Sequence, residues 1–216
     1  MNCLEKWVIQ AKRADFAAIG KQYGIDQVLA RVLINRGIKE DAIDDYLHPS
    51  LSYLGNPNSM YGIKEAVDLL CHAISRNQHI RVIGDYDVDG INATYILKSG
   101  IAHVGGLVDY SIPRRIEDGY GVNVVMMDKA QEDGIDLVIT CDNGIAATEA
   151  VAHAKELGLQ VIVTDHHAIP YKEVDGVRSE ILPEADVIVN PHQRACSYLY
   201  PNIFNLSSRN MIGFFG

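Results

Sequence analysis

Three short segments hold the residues best suited to chemistry. The first is DYDVDG, with Asp85, Asp87 and Asp89 at alternate positions. The second places Asp142 before Asn143-Gly144, and the third runs Asp165-His166-His167. Three neighbouring carboxylates repel one another once ionised, and in a folded site that cost is relieved by cations. Carboxylate oxygens suit Mg²⁺ and Mn²⁺, and added imidazole shifts the preference toward Mn²⁺. Two such ions about 3.5–4 Å apart, bridged by a carboxylate, activate water and stabilise in-line attack on phosphorus.

Each residue alone also has an ordinary explanation. Asp142 precedes a helical stretch and suits an N-cap. Asp85 and Asp89 stand beside Gly84 and Gly90, where aspartate is a common turn residue. His167 at a strand end suits a simple hydrogen-bonded histidine. What coincidence explains poorly is the recurrence: each cluster directly follows a short apolar run.

Those runs read as strands at residues 81–83, 107–112, 137–141, 160–164 and 187–189, the last ending at Asn190. Helical stretches fall near 91–101, 122–132 and 145–157, and Ile63, Val67, Leu70 and Ile74 form one apolar helix face. Alternating strands and helices predict an α/β fold: a mostly parallel, Rossmann-like sheet flanked by helices. In such a sheet the strand C-termini share one edge, so the carboxylates and imidazoles are expected to converge there. Ahead of this domain, short helices are expected over 26–35, with Val28, Leu29, Val32 and Leu33 as the apolar face, and over 40–47. The Pro-, Gly-, Asn- and Ser-containing stretch 48–62 reads as a linker. The domain reading is a helical segment and linker at 1–62, an α/β domain at 63–203 and an atypical tail at 204–216.

Composition narrows the class. A chain of 216 residues with 48% hydrophobic content can bury a sizeable core. No apolar run approaches the roughly 20 residues that span a bilayer, and charges interrupt the N-terminus before any signal-like stretch forms. A cytoplasmic protein without a membrane partner is therefore expected. Cys3, Cys71, Cys141 and Cys196 are widely spaced, which argues against a zinc site or a disulfide framework. The formal charge of −9 argues against a passive nucleic-acid coat. It weighs less against a nuclease, whose acidic site is meant to hold cations. The sequence has no GxGxxG after a strand, no Walker A loop, no HExxH and no GxSxG, which removes the main support for dinucleotide oxidoreductases and serine hydrolases.

Together, VIGDYDVDGINATYIL, IPRRIEDGYGVN, VITCDNGI, VIVTDHH and ADVIVNPHQ resemble the ordered motifs of the DHH phosphoesterase superfamily in the form seen in RecJ exonucleases. The likeness runs from about residue 26 to residue 203. It implies metal-dependent, single-strand-specific 5′-to-3′ hydrolysis of DNA in repair and recombination, with Mn²⁺ or Mg²⁺ in a two-metal site. It also implies roles for Asp85, Asp87, Asp89, Asp142, His166 and His167 in catalysis. Within that set Asp87, Asp89, Asp142 and His166 are the expected metal ligands, Asp142 bridging both ions. His167 and Arg115 would contact the DNA phosphate, and Asp165 would orient an imidazole. Ile83 stands where many superfamily members carry histidine, which implies fewer protein ligands for one metal. Relatives continue into a small-residue helix, a further metal-binding aspartate and more domains. FNLSSRNMIGFFG does not follow that pattern, so the chain is expected to be a truncated product whose own activity is in question. Two alternatives stay open: a DHH phosphoesterase acting on short oligonucleotides, cyclic dinucleotides or pyrophosphate, and a non-catalytic degenerate fragment.

Overall fold

The structure is a computed structural model that describes residues 11–50, 56–114, 121–174 and 177–196. The chain divides into two compact units, with the boundary between Gly55 and Asn56.

The first unit is helical. Helix α1 (Phe16–Tyr23) is capped by Asp15, whose carboxylate accepts from Ala18 N at 3.0 Å, and α2 (Gln27–Asn35) by Asp26, which accepts from Val28 N at 2.7 Å. Each cap satisfies a backbone donor that the helix itself leaves free. A 3₁₀ turn (Glu40–Ala42) leads into α3 (Ile43–Leu47). Ile19, Ala30, Leu33, Ile38 and Ile43 form the core. The expected apolar face of α2 is corrected here. Only Leu33 of its four residues is buried, while Val28, Leu29 and Val32 are 65%, 41% and 43% exposed. The small Ala30 takes the inward position, which leaves the bulkier branched residues outside.

The second unit starts earlier than its composition implies. Met60 belongs to its core, so residues 56–62 pack with this unit instead of serving as a linker. Helix α4 (Ile63–Ser75) buries Ile63, Ala66, Leu70 and Ala73, a stripe at helical spacing. Strand β1 (His79–Ile83) then leads through α5 (Val88–His103) to β2 (Leu107–Ser111), and α6 (Val124–Glu132) leads to β3 (Leu137–Cys141). Helix α7 (Thr148–Glu156) leads to β4 (Gln160–Thr164). An antiparallel hairpin, β5 (Tyr171–Val174) with β6 (Val177–Glu180), precedes β7 (Val187–Val189).

The main sheet has the order β2-β1-β3-β4-β7, and every pairing is parallel. Ile80, Val82, Leu137, Ile139, Cys141, Ile162 and Val189 pack on one side with residues of α4 and α5. Ile83, Val138, Val161 and Val163 pack on the other with residues of α6 and α7. All five residues of β3 are buried, as expected for a central strand covered on both faces. The chain turns back against the outer edge of β7 at Gly62, which has φ +83°. A side chain there would run into the Ile188 carbonyl, so glycine is required. No helix among the described residues is long and apolar enough to cross a membrane.

Candidate metal and phosphate site

A parallel sheet gathers its strand C-termini on one edge, and ligands bind where the strand order reverses. That point lies between β1 and β3, because the chain runs from β1 to β2 on one side and then returns to β3 on the other. Asp85 follows β1, Asp142 follows β3, Asp165 to His167 follow β4 and Asn190 follows β7.

The loop after β1 is closed by backbone contact. A Cβ on Gly90 would sit 2.6 Å from both the N and O of Asp85, so only glycine lets the first turn of α5 approach this closely. Thr94 Oγ1 donates to the Gly90 carbonyl at 2.7 Å. Asp85 is 1% exposed, and its carboxylate accepts from Tyr86 N at 2.7 Å. Asp87 caps α5, accepting from Gly90 N at 2.9 Å, and is exposed. Asp89 lies half-buried in the first helical turn.

Asp142 is not a helix cap; α7 starts at Thr148 with Ala147 before it. Instead Asp142 adopts φ +61°, a left-handed backbone that costs a residue with a side chain of order 1–3 kcal/mol. Its amide donates to the Thr164 carbonyl at 3.1 Å. The carboxylate is buried, and Oδ1 lies 2.8 Å from His166 Nε2. His166 is thus its ion-pair partner, and no other protein donor reaches this buried oxygen. Burial pushes the Asp142 carboxyl up, His166 opposes that shift, and the charge on Asp87 adds to it.

Asp165 acts as an anchor. Its Oδ1 accepts from the backbone N of His166 at 2.7 Å and of His167 at 3.0 Å, and lies 2.7 Å from His167 Nδ1. Oδ2 accepts from Ile145 N at 2.9 Å. Burial alone would raise this carboxyl, but the donors, His167 foremost, hold it below the ordinary range. In return the Asp165 carboxylate raises His167, while burial opposes the shift. With Nδ1–H donating to Asp165, Nε2 of His167 is left for a ligand. Asn190 braces the same loop, donating from Nδ2 to the His167 carbonyl at 3.0 Å.

Among the described residues, Asp142, His166 and His167 form the one group of three whose ligand atoms lie within 4.8 Å of one another. The structure therefore unites Asp142 and His166 with His167, which the motif resemblance assigns to phosphate. Asp85, Asp87 and Asp89 lie outside this group. Arg115 lies outside the described residues, as does the tail at 204–216. Sequence reasoning did not single out Asn143 or Asn190 as site residues. Asn143 Nδ2 donates to the Gly84 carbonyl at 2.8 Å. The only signal in the sequence is that both asparagines stand beside strand ends, where polar residues are common for many reasons.

A carboxylate oxygen and two imidazole nitrogens in this arrangement fit a divalent cation. The buried Oδ1 supports that fit, since apart from His166 no protein donor reaches it and a cation would satisfy it.

Comparison with known proteins agrees with the geometry. Residues 79–213 match the family model described as "DHH family, N-terminal domain". The single-stranded-DNA-specific exonuclease RecJ of Haemophilus influenzae is 40% identical over 153 residues, covering 70% of this chain and 25% of the relative. RecJ of Bacillus subtilis is 36% identical over 200 residues, covering 92% and 24%. The chain thus spans about a quarter of the length of these relatives. Among solved structures, RecJ from Thermus thermophilus in complex with Mn²⁺ is 26% identical with a TM-score of 0.59, covering 93% of this chain and 26% of that one. Another exonuclease RecJ bound to manganese is 33% identical with a TM-score of 0.56, covering 72% and 36%. With its matched segment, its all-parallel main sheet and its Asp-His-His edge in place, the chain belongs to the DHH family.

Proposed function

We propose that this chain carries catalytic residues of a RecJ-type, single-strand-specific DNA exonuclease. It would hydrolyse phosphodiester bonds from the 5′ end with Mn²⁺ or Mg²⁺, in cytoplasmic DNA repair and recombination. The observation that carries the reading is the convergence of the buried Asp142 carboxylate with the rings of His166 and His167. The imidazole of His166 in the donor set favours Mn²⁺ over Mg²⁺. Asp142 and His166 would hold the ion, with Asp87 and Asp89 supplying carboxylates beside it. When bound, the ion supplies a water acidified toward neutral pH and a charge that offsets the one developing on the phosphate. The remaining work belongs to the side chains. Asp165 holds the ring of His167 through Nδ1, and the protonated ring would donate from Nε2–H to a phosphate oxygen. Arg115 would grip a neighbouring phosphate through its two-pronged guanidinium. Asp85, held by Tyr86 N, keeps the β1 loop in shape.

The test is release of nucleotides from a 5′-ended single strand in Mn²⁺, with duplex DNA and a dinucleotide as comparison substrates. The proposal predicts release from the single strand that is lost in Asp142→Ala. Faster hydrolysis of the dinucleotide would point to a small-substrate phosphoesterase. Absence of hydrolysis in a chain that binds Mn²⁺ would favour a non-catalytic fragment.

A further inference from the structure

We infer that Asn143 is a positioning residue that locks the strained backbone of Asp142 and sets it against the loop after β1. The inference rests on reading Asp142 and His166 as metal ligands. Asn143 is 4% exposed. Its Nδ2 donates to the Gly84 carbonyl, one residue before Asp85, and this bond fixes the amide orientation. Its own carbonyl accepts from Thr140 Oγ1 at 3.0 Å, and Thr164 Oγ1 donates to the Thr140 carbonyl at 2.7 Å. These bonds tie the ends of β1, β3 and β4 together across the site. Asp142 sits inside that lattice at φ +61°, held on one side by its own bond to Thr164 and on the other by Asn143. A strained conformation persists only when its surroundings over-determine it.

The energetics argue that Asn143 is there for geometry. Its Oδ1 is buried and accepts no hydrogen bond. Leaving a buried acceptor unsatisfied costs at least as much as one neutral hydrogen bond returns. As a stabiliser of the fold, the side chain therefore gains little. As a brace between the two carboxylate-bearing loops, it decides where Asp142 Oδ1 meets His166 Nε2.

The experiment compares the parent chain with Asn143→Ala and with the similarly sized, uncharged Asn143→Leu, which loses the donor to Gly84. Two quantities are read. The first is the ¹⁵N resonance of the His166 ring in metal-free protein, assigned with His166→Gln. The second is the Mn²⁺ dissociation constant from calorimetry. The expected result is a shifted His166 resonance in both variants and Mn²⁺ binding weakened 10–100-fold, with metal-free melting temperatures close to the parent's. An unmoved His166 resonance overturns the inference whatever the metal data show. Loss of the metal-free fold in both variants overturns it too, since Asn143 would then be a folding residue. A parent that binds no Mn²⁺, with His166 still displaced in the variants, refutes the metal-site reading while the positioning role stands.

Discussion

Asp142 Oδ1 lies 2.8 Å from His166 Nε2, the distance of an ion pair, at the C-terminal edge of the sheet. A carboxylate and an imidazole this close suit joint ligation of a third atom. The same carboxylate is buried, sits on a left-handed backbone and is pushed up by desolvation. It therefore weighs against the stability of the metal-free fold. Asp142→Asn removes the charge and keeps the shape. In chelator, this variant is expected to melt no lower than the parent, with a gain of up to about 1 kcal/mol. Thermal melts in EDTA check this, and a clear loss of stability would count against the argument.

Asp165 collects four donors from Ile145, His166 and His167. Asp165→Asn cannot accept from all of them, and it releases the ring of His167. We expect a loss of about 1–3 kcal/mol in urea unfolding and about 10–100-fold weaker metal binding or activity. Unfolding at the parent's midpoint would contradict the anchoring role.

Gly90 touches the backbone of Asp85. Gly90→Ala forces the first turn of α5 away from the β1 loop, a crowding that costs about 1–3 kcal/mol. It should also disturb Asp87, which caps the helix through Gly90 N. Denaturant midpoints measure the first effect. Amide exchange at residue 90 measures the second, with faster exchange expected in the variant.

Arg81, nearly buried on β1, donates from Nε and Nη2 to Asp109 on β2 at 2.8 and 2.6 Å, and from Nη1 to Asp133 at 3.0 Å. Asp109→Ala leaves the guanidinium one carboxylate. Because Asp109 is 37% exposed, the expected cost is about 1–3 kcal/mol, less than for a fully buried pair. Arg81→Met should lose less, since it leaves no buried charge behind. Urea unfolding of the two variants decides the order.

His153 Nε2 lies 2.7 Å from Asp128 Oδ1 and joins α7 to α6. That partner raises the imidazole above its ordinary 6.5, burial opposes the shift, and Glu156 adds to it. A group raised by folding contributes its full stability below its unfolded value and loses it as pH rises through the folded one. The gap in stability between the parent and Asp128→Asn should therefore be largest near pH 5–6 and close at alkaline pH. Urea midpoints across that range test it, and a gap that grows with pH would contradict the pairing.

The main architecture was legible because its signals are local. The apolar runs at 137–141, 160–164 and 187–189 form strands with those bounds. Helix α5 begins at Val88, three residues earlier than its apolar pattern suggests, because Asp87 caps it and Gly90 packs on Asp85. The hairpin β5–β6 was missed. Its residues mix charged and apolar types and are largely exposed, so no alternation marks them, and only the Asp175-Gly176 pair between the strands hints at a turn. At the site, strand order brought Asp142 and the two histidines to one edge. The left-handed backbone of Asp142 was not legible, because aspartate adopts that conformation only occasionally and nothing in its neighbours marks this position for it. The bracing by Asn143 and Asn190 was equally hidden, since it depends on which carbonyls the fold places opposite them.

The most direct test of a metal site at Asp142 and His166 is a melting curve in saturating Mn²⁺ against one in EDTA. An ion at about 100 times its dissociation constant stabilises a fold by roughly 2.7 kcal/mol, or about 5–10 °C for a chain of this size. The parent should show that rise, and a variant carrying Asp142→Ala and His166→Ala should show none. An equal rise in both, or none in the parent, would contradict the account.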